Sequence, residues 1–307
     1  MESIKVFCPA TIANISCGFD VLGAALDTVG DEMIVTKTAE KGIRITKIVG
    51  QDLPLETEKN VAGVAGLALM AQAKYDGGFD IEIHKNIKPG SGIGSSAASS
   101  AGAVWAMNAL LGKPFSPSEL VGFAMQGEKV ASQVAHADNV APALFGGFTL
   151  VRSYKPLDIV PLPTPEELYA TVIHPQIEVK TSDSRNILKT KITLKDGIQQ
   201  WGNLGGLVAG LFRNDYELIG RSLQDIIVEP IRSILIPAFE DIKITAMQVG
   251  ALGCGISGSG PSVFALSKGK ANAERVAEQM KKVYQPLDID FDIHISSINQ
   301  QGIKIIS

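Results

Sequence analysis

Long apolar runs are missing from this chain: no stretch reaches the 18 or so apolar residues that a bilayer-spanning helix needs. A membrane partner is therefore not expected. Cysteine is scarce as well, with only Cys8, Cys17 and Cys254, whose spacing matches neither a zinc site nor a disulfide framework. A reducing cytoplasm is the simplest setting. No lysine- or arginine-rich run occurs and the net charge is a mild −4, so nothing here would neutralise a nucleic-acid backbone. The opening Met1-Glu2-Ser3-Ile4-Lys5-Val6-Phe7 meets Pro9 early and lacks the charged start and apolar stretch of a signal peptide.

What is present describes an ordinary globular protein of 307 residues with 31 glycines, long enough that two domains are expected. Ile4–Phe7 reads as a strand that stops at Cys8-Pro9, and residues 10–19 as a small-residue loop. Residues 33–38 and 43–48 read as strands joined by a hairpin turn at 39–42, followed by a helix after Asn60. Phe79, Ile81 and Ile83 alternate with polar residues as a half-buried strand does. A glycine loop and a small-residue helix from Ser95 follow, then a capped helix opening at Ser116-Pro117-Ser118-Glu119 and a polar loop at 135–142. Pro156, Pro161, Pro163 and Pro165 disfavour regular structure and mark a boundary. The expected domains are 1–155 and 156–307, the second an α+β unit of strand, helices, strand, helix and strand.

Chemistry concentrates in the glycine loop. Backbone N–H groups at a helix N-terminus bind anions, phosphate above all. Gly90, Gly92 and Gly94 remove side chains that would keep phosphate away, and the hydroxyls of Ser95 and Ser96 are donors or Mg²⁺ ligands. The bland alternative is a flexible turn before a helix. No lysine follows Gly94, as a Walker loop requires, and the dinucleotide fingerprint fits poorly too. A second glycine cluster, 250–262, is either a tight turn or a lid over the phosphates.

Together these segments resemble the GHMP kinase superfamily, whose three motifs match Cys8-Pro9-Ala10-Thr11, the loop 89–98 and Ser257–Ser262 in order. Residues 9–14 with Gly18-Phe19-Asp20, and His136-Ala137-Asp138-Asn139-Val140-Ala141-Pro142, resemble its amino-acid-phosphorylating branch. The resemblance implies an α+β, two-domain GHMP kinase fold, with a ribosomal protein S5 domain 2-like N-terminal half and a ferredoxin-like α/β sandwich after it. It implies transfer of the γ-phosphoryl group of Mg·ATP to the side-chain hydroxyl of L-homoserine, on the route to threonine, by a chain that is commonly a homodimer. Nucleotide would meet Asn60, Pro89, Gly90, Ser91, Gly92, Ile93, Gly94, Ser95, Ser96, Ala97, Ala98 and Ser99, and Mg²⁺ would sit at Ser96 and Glu128. Asn14, Asp20, His136, Asn139, Thr181, Arg185 and Arg232 would form the substrate pocket. There Asp20 would neutralise the ammonium, and the two arginines, otherwise ordinary surface ion-pair residues, would take the carboxylate.

One departure bears on mechanism. Many members of the superfamily carry a catalytic aspartate eleven residues after the metal-binding glutamate, where this chain has Asn139, and a partner lysine where it has Thr11. Asn139 would then orient the hydroxyl, with its proton leaving to a γ-phosphate oxygen or to water; Asp138 is the alternative base. The rival readings are a mevalonate-type alcohol kinase, which has no ammonium for Asp20 to meet, and a nucleotide-binding regulator without catalysis.

Overall fold

A computed structural model describes residues 2–132, 136–179 and 181–306; the side chains of Ser132, Thr181 and Ser182 also lie outside the described residues. The first half comprises β1 (Ser3–Ala13), β2 (Leu22–Thr38), β3 (Gly42–Val49), α1 (Val61–Ala73), β4 (Gly78–His84), α2 (Ser95–Leu110), α3 (Pro117–Ser132), α4 (Val140–Phe145), β5 (Phe148–Tyr154) and β6 (Leu157–Leu162). The second comprises β7 (Leu168–Pro175), α5 (Thr181–Asn186), α6 (Leu194–Arg213), α7 (Tyr216–Ser222), α8 (Glu229–Arg232), α9 (Phe239–Gln248), β8 (Gly253–Ile256), β9 (Val263–Lys268), α10 (Lys270–Tyr284), β10 (Phe291–Ser297) and β11 (Lys304–Ile305).

The first sheet runs β11-β1-β2-β4-β3, with β5 joined to β2 and β6 to β5. The expected 39–42 hairpin is absent. β4 lies between β2 and β3, antiparallel to one (Met33 opposite Ile83) and parallel to the other (Ile45 opposite Ile81). The 39–41 link passes over the start of β4, where a Cβ on Gly78 would stand 1.8 Å from the Glu40 carbonyl oxygen. A side chain there would block the crossing. α2 lies against this sheet with Ala97, Ala98 and Ala101 fully buried, their small side chains letting the helix approach closely.

Three other expectations are corrected. β1 continues through Pro9 to Ala13 before Asn14, Ile15 and Ser16 turn at φ 70°, 40° and 59°. Part of the polar loop at 135–142 is the start of α4, whose Val140 and Ala141 are buried. The proline stretch contains β6, which pairs only with β5; an edge strand tolerates Pro161 because one row of its N–H groups needs no partner. The division expected at 155 therefore falls inside the β5–β6 hairpin, and the change of sheet comes between Leu162 and Leu168.

The second sheet is antiparallel in the order β10-β7-β9-β8. Ala246 of α9 and Val276 and Met280 of α10 are buried against its residues Ile173, Val263 and Ala265. This is the α/β sandwich the sequence implied. Among the described residues, no helix is long and apolar enough to cross a membrane.

Candidate active site

A cleft of about 360 Å³ opens where the glycine loop, α3, α5, α8 and the β8–β9 connection meet. Its floor is the loop entering α2. The Thr11 N–H donates to Ile93 O at 3.1 Å, which ties the loop to β1. Gly92 has φ +84°, and a Cβ on it would stand 2.7 Å from the carbonyl oxygens of both Ser257 and Gly260. So the second glycine segment is already fastened to the first. Ser257 Oγ donates to Gly92 O at 2.7 Å, Ser262 N to Ser91 O at 3.2 Å and Gly258 N to Ala13 O at 3.2 Å. Of the two readings, tight turn or lid, neither describes these bonds fully: the segment is clamped onto the phosphate loop.

Within the loop the side chains divide. Pro89, Gly90, Gly92, Gly94, Ser95, Ser96 and Ser99 line the cleft, whereas Ile93, Ala97 and Ala98 are buried in the core. Ser91 is buried outside the lining. Ser95 Oγ is engaged with Ile87 O at 2.9 Å. Beneath the helix start, buried Lys85 pairs with buried Asp31 and donates to Ser95 O at 2.8 Å and Ser99 Oγ at 3.0 Å. Sequence reasoning missed this pair, since a lone lysine at a strand end reads as solvated. Asn60 is the N-cap of α1, accepting from Ala62 N at 3.0 Å and donating to Pro54 O at 2.8 Å. Its neighbours Leu53 and Val61 reach the cleft instead.

Glu128, on α3, is brought to the same place. Ser96 Oγ donates to its Oε2 at 2.8 Å and Ser100 Oγ to its Oε1 at 3.0 Å, and burial pushes its carboxyl above the usual range. A carboxylate and a hydroxyl side by side at a phosphate loop are hard oxygen donors that fit Mg²⁺. Among the described residues there is no cluster of three or more His, Cys, Asp or Glu that could hold a metal ion.

At the far end the expected substrate residues converge, with changed partnerships. Arg185 holds Asp20 through both guanidinium nitrogens, at 3.0 and 3.2 Å, and donates to His136 Nε2 at 2.9 Å. Accepting that bond requires a neutral imidazole nitrogen; burial lowers the His136 pKa against the opposing charge of Asp20. Arg232 is buried, donating to Ser184 O at 2.9 Å and Gly258 O at 3.0 Å, and stands 5.0 Å over the Phe19 ring. Asn14 donates to the same Gly258 O at 2.7 Å. Thr181 was expected here too, but its side chain is outside the described residues.

Asn139 and Asp138 complete the wall. Thr11 Oγ1 donates to Asn139 Oδ1 at 2.7 Å, which fixes the amide of a residue that lines the cleft. Asp138 is 3% exposed, lines the cleft, and its Oδ1 has no hydrogen-bond partner among the described residues. Burial, followed by the charge of Asp20, pushes its carboxyl up to about 7.

Comparisons with known proteins identify the family. The GHMP kinases N terminal domain matches residues 59–147 and the GHMP kinases C terminal domain residues 207–285. A homoserine kinase from Chlorobium phaeobacteroides is 46% identical, with 100% of both chains covered. The crystal structure of a homoserine kinase from Cytophaga hutchinsonii is 54% identical and superposes with a TM-score of 0.96 over 100% of this chain and 98% of that one. An L. major mevalonate kinase, 16% identical with a TM-score of 0.71 over 96% of each chain, shares the fold. The matched domains and the full-length identity place this chain in the GHMP kinase family, among the homoserine kinases.

Proposed function

We infer that this protein transfers the γ-phosphoryl group of ATP to the side-chain hydroxyl of L-homoserine, giving O-phospho-L-homoserine for threonine synthesis. One observation carries the reading: a phosphate loop with Glu128 beside it opens into the same cleft as two arginines and an aspartate, Asp138, one of whose carboxylate oxygens has no hydrogen-bond partner among the described residues. Such a pocket suits a zwitterion next to a triphosphate. The buried, unpaired cysteines Cys8, Cys17 and Cys254 fit a cytoplasmic setting.

The phosphates rest on the N-terminus of α2, where backbone N–H groups and the helix dipole favour negative charge. Glu128 and Ser96 would hold Mg²⁺, which neutralises charge on the phosphate oxygens. Arg232 and Arg185 bind the substrate carboxylate. The ammonium, expected at Asp20, is better matched to Asp138, because Asp20 already neutralises Arg185. Asp20 then orients Arg185, and Asp138 supplies the charge. Asn139 directs an amide N–H towards the reacting hydroxyl or the phosphoryl oxygen. An amide is no proton acceptor, so the hydroxyl proton passes to an oxygen of the transferring phosphoryl group, and rate comes from positioning and electrostatic stabilisation.

A coupled ADP-release assay with homoserine, serine, threonine and mevalonate tests the assignment. Homoserine should be the best acceptor; turnover no faster than with serine would overturn it.

A further inference from the structure

Behind the substrate end of the cleft lies a second cavity of about 10 Å³, walled by Asn14, Ser16, Asp225, Glu229, Arg232 and Gly258. That volume corresponds to one water-sized centre. Two of its lining residues carry a polar atom, Ser16 Oγ and Glu229 Oε2, that is buried with no hydrogen-bond partner among the described residues. Their residues are only 3% and 7% exposed. Buried polar atoms are nearly always satisfied by protein or by ordered water.

The surrounding bonds narrow what fits. Asp225 is spent capping α8: its Oδ1 accepts from Gln200 Nε2, Ile227 N and Val228 N at 2.9, 2.9 and 3.0 Å, and its Oδ2 from Glu229 N at 3.0 Å. Glu229 Oε1 is held by Lys243. Glu229 Oε2 is therefore the carboxylate oxygen at this wall that still lacks a donor. Arg232 borders both this cavity and the cleft, as do Asn14 and Gly258. A cation in the small cavity would face the Arg232 guanidinium, whereas a water donates to Glu229 Oε2 while accepting from Ser16 Oγ–H and a guanidinium N–H.

We propose that this cavity is a water-binding site through which Glu229 and Ser16 hold the Arg232 guanidinium, making both positioning residues for the substrate carboxylate. Glu229, whose charge is already met by Lys243, acts through the water, which fixes the plane in which Arg232 meets its ligand. The substrate face of Arg232 stays free. This rests on the carboxylate role of Arg232 proposed above.

The test combines a high-resolution crystal structure with kinetics of Glu229→Gln, Ser16→Ala and Arg232→Ala on homoserine and on homoserine amide, which lacks the carboxylate. An ordered water should occupy the cavity. Ser16→Ala leaves the Glu229–Lys243 pair intact, so it remains informative if Glu229→Gln folds poorly. Both variants should raise the homoserine KM roughly fivefold with kcat, the ATP KM and the amide KM unchanged. A dry cavity, an unchanged homoserine KM in both variants, or an equal rise for the amide would overturn the proposal. Arg232→Ala separates the two layers. If it leaves the preference for homoserine over its amide intact, the carboxylate reading itself fails, whatever the cavity contains.

Discussion

Two aspartates face one cleft, and their partners separate their roles. Asp20 is neutralised by Arg185, while Asp138 has a carboxylate oxygen with no donor among the described residues and a pKa pushed up to about 7. Below about pH 7 Asp138 is protonated and uncharged, so it attracts an ammonium weakly; above, it is a carboxylate. kcat/KM for homoserine should therefore rise with pH through about 7, and Asp138→Asn should flatten that limb while raising the homoserine KM by about 10- to 100-fold. A limb that survives in Asp138→Asn belongs to another group. Asn139 depends on its own support: Thr11→Val keeps the shape at position 11 but removes the hydroxyl that anchors the amide. It should lower kcat about tenfold with both KM values unchanged, measured at saturating substrates. Much of this site was legible in the sequence, because the motif residues Asn14, Asp20, Glu128, Asn139, Arg185 and Arg232 are brought to one place. Which carboxylate is free was not, since that depends on where Arg185, 165 positions from Asp20, places its guanidinium.

Elements explain why the loop has its shape. Gly90 and Gly92 both have positive φ, but a Cβ on Gly90 meets nothing within 4 Å, whereas one on Gly92 runs into the clamp from the β8–β9 connection. Gly90→Ala should cost about 1 kcal/mol from backbone strain alone. Gly92→Ala should cost more, about 2–3 kcal/mol, and raise the ATP KM as the two glycine segments part; urea denaturation and initial-rate kinetics measure each. Equal effects would mean the clamp is unimportant. Asn60 gives a second element-scale test. As the cap of α1, its change to Ala should lose about 1 kcal/mol, and Ser, which also caps, should restore it. A raised ATP KM in Asn60→Ser would assign the amide to the nucleotide as well. The strands and helices were legible from period and capping, and Ser116 and Glu119 do bond reciprocally, at 2.8 and 3.4 Å. Strand order was not: residues 39–42 look like a hairpin turn, and only the distant β4 reveals that a strand lies between its arms.

At the scale of the molecule, the chain ends where it begins. β11 pairs with β1, Ile306 N donates to Lys5 O at 2.9 Å, and Ile303, 3% exposed, donates its N–H to Ala143 O at 2.9 Å. Before them, Asn299 N–H donates to Ala25 O at 2.9 Å, and Ser296 Oγ accepts from Asp27 N at 2.7 Å. Residues 298–306 thus fasten to the first half, with β11 a strand of its sheet, although proline content places them in a separate C-terminal domain. The clamp between the glycine segments adds a second seam, at the site itself. Two consequences follow for folding. Fragments 1–155 and 156–307 should fail to fold separately, because the cut splits the β5–β6 hairpin and strips β1 of its β11 neighbour. Removing residues 303–307 should destabilise the whole protein by about 3 kcal/mol, combining the burial of Ile303 with the lost backbone bonds. Calorimetry of the intact chain should then give one transition, and Mg·ATP should move all of it upward, since a ligand that binds only the folded chain stabilises whatever unfolds with its site. Two transitions, of which ATP moves one, would show that the halves unfold independently and that the C-terminal strand is an appendage rather than the closure of the fold.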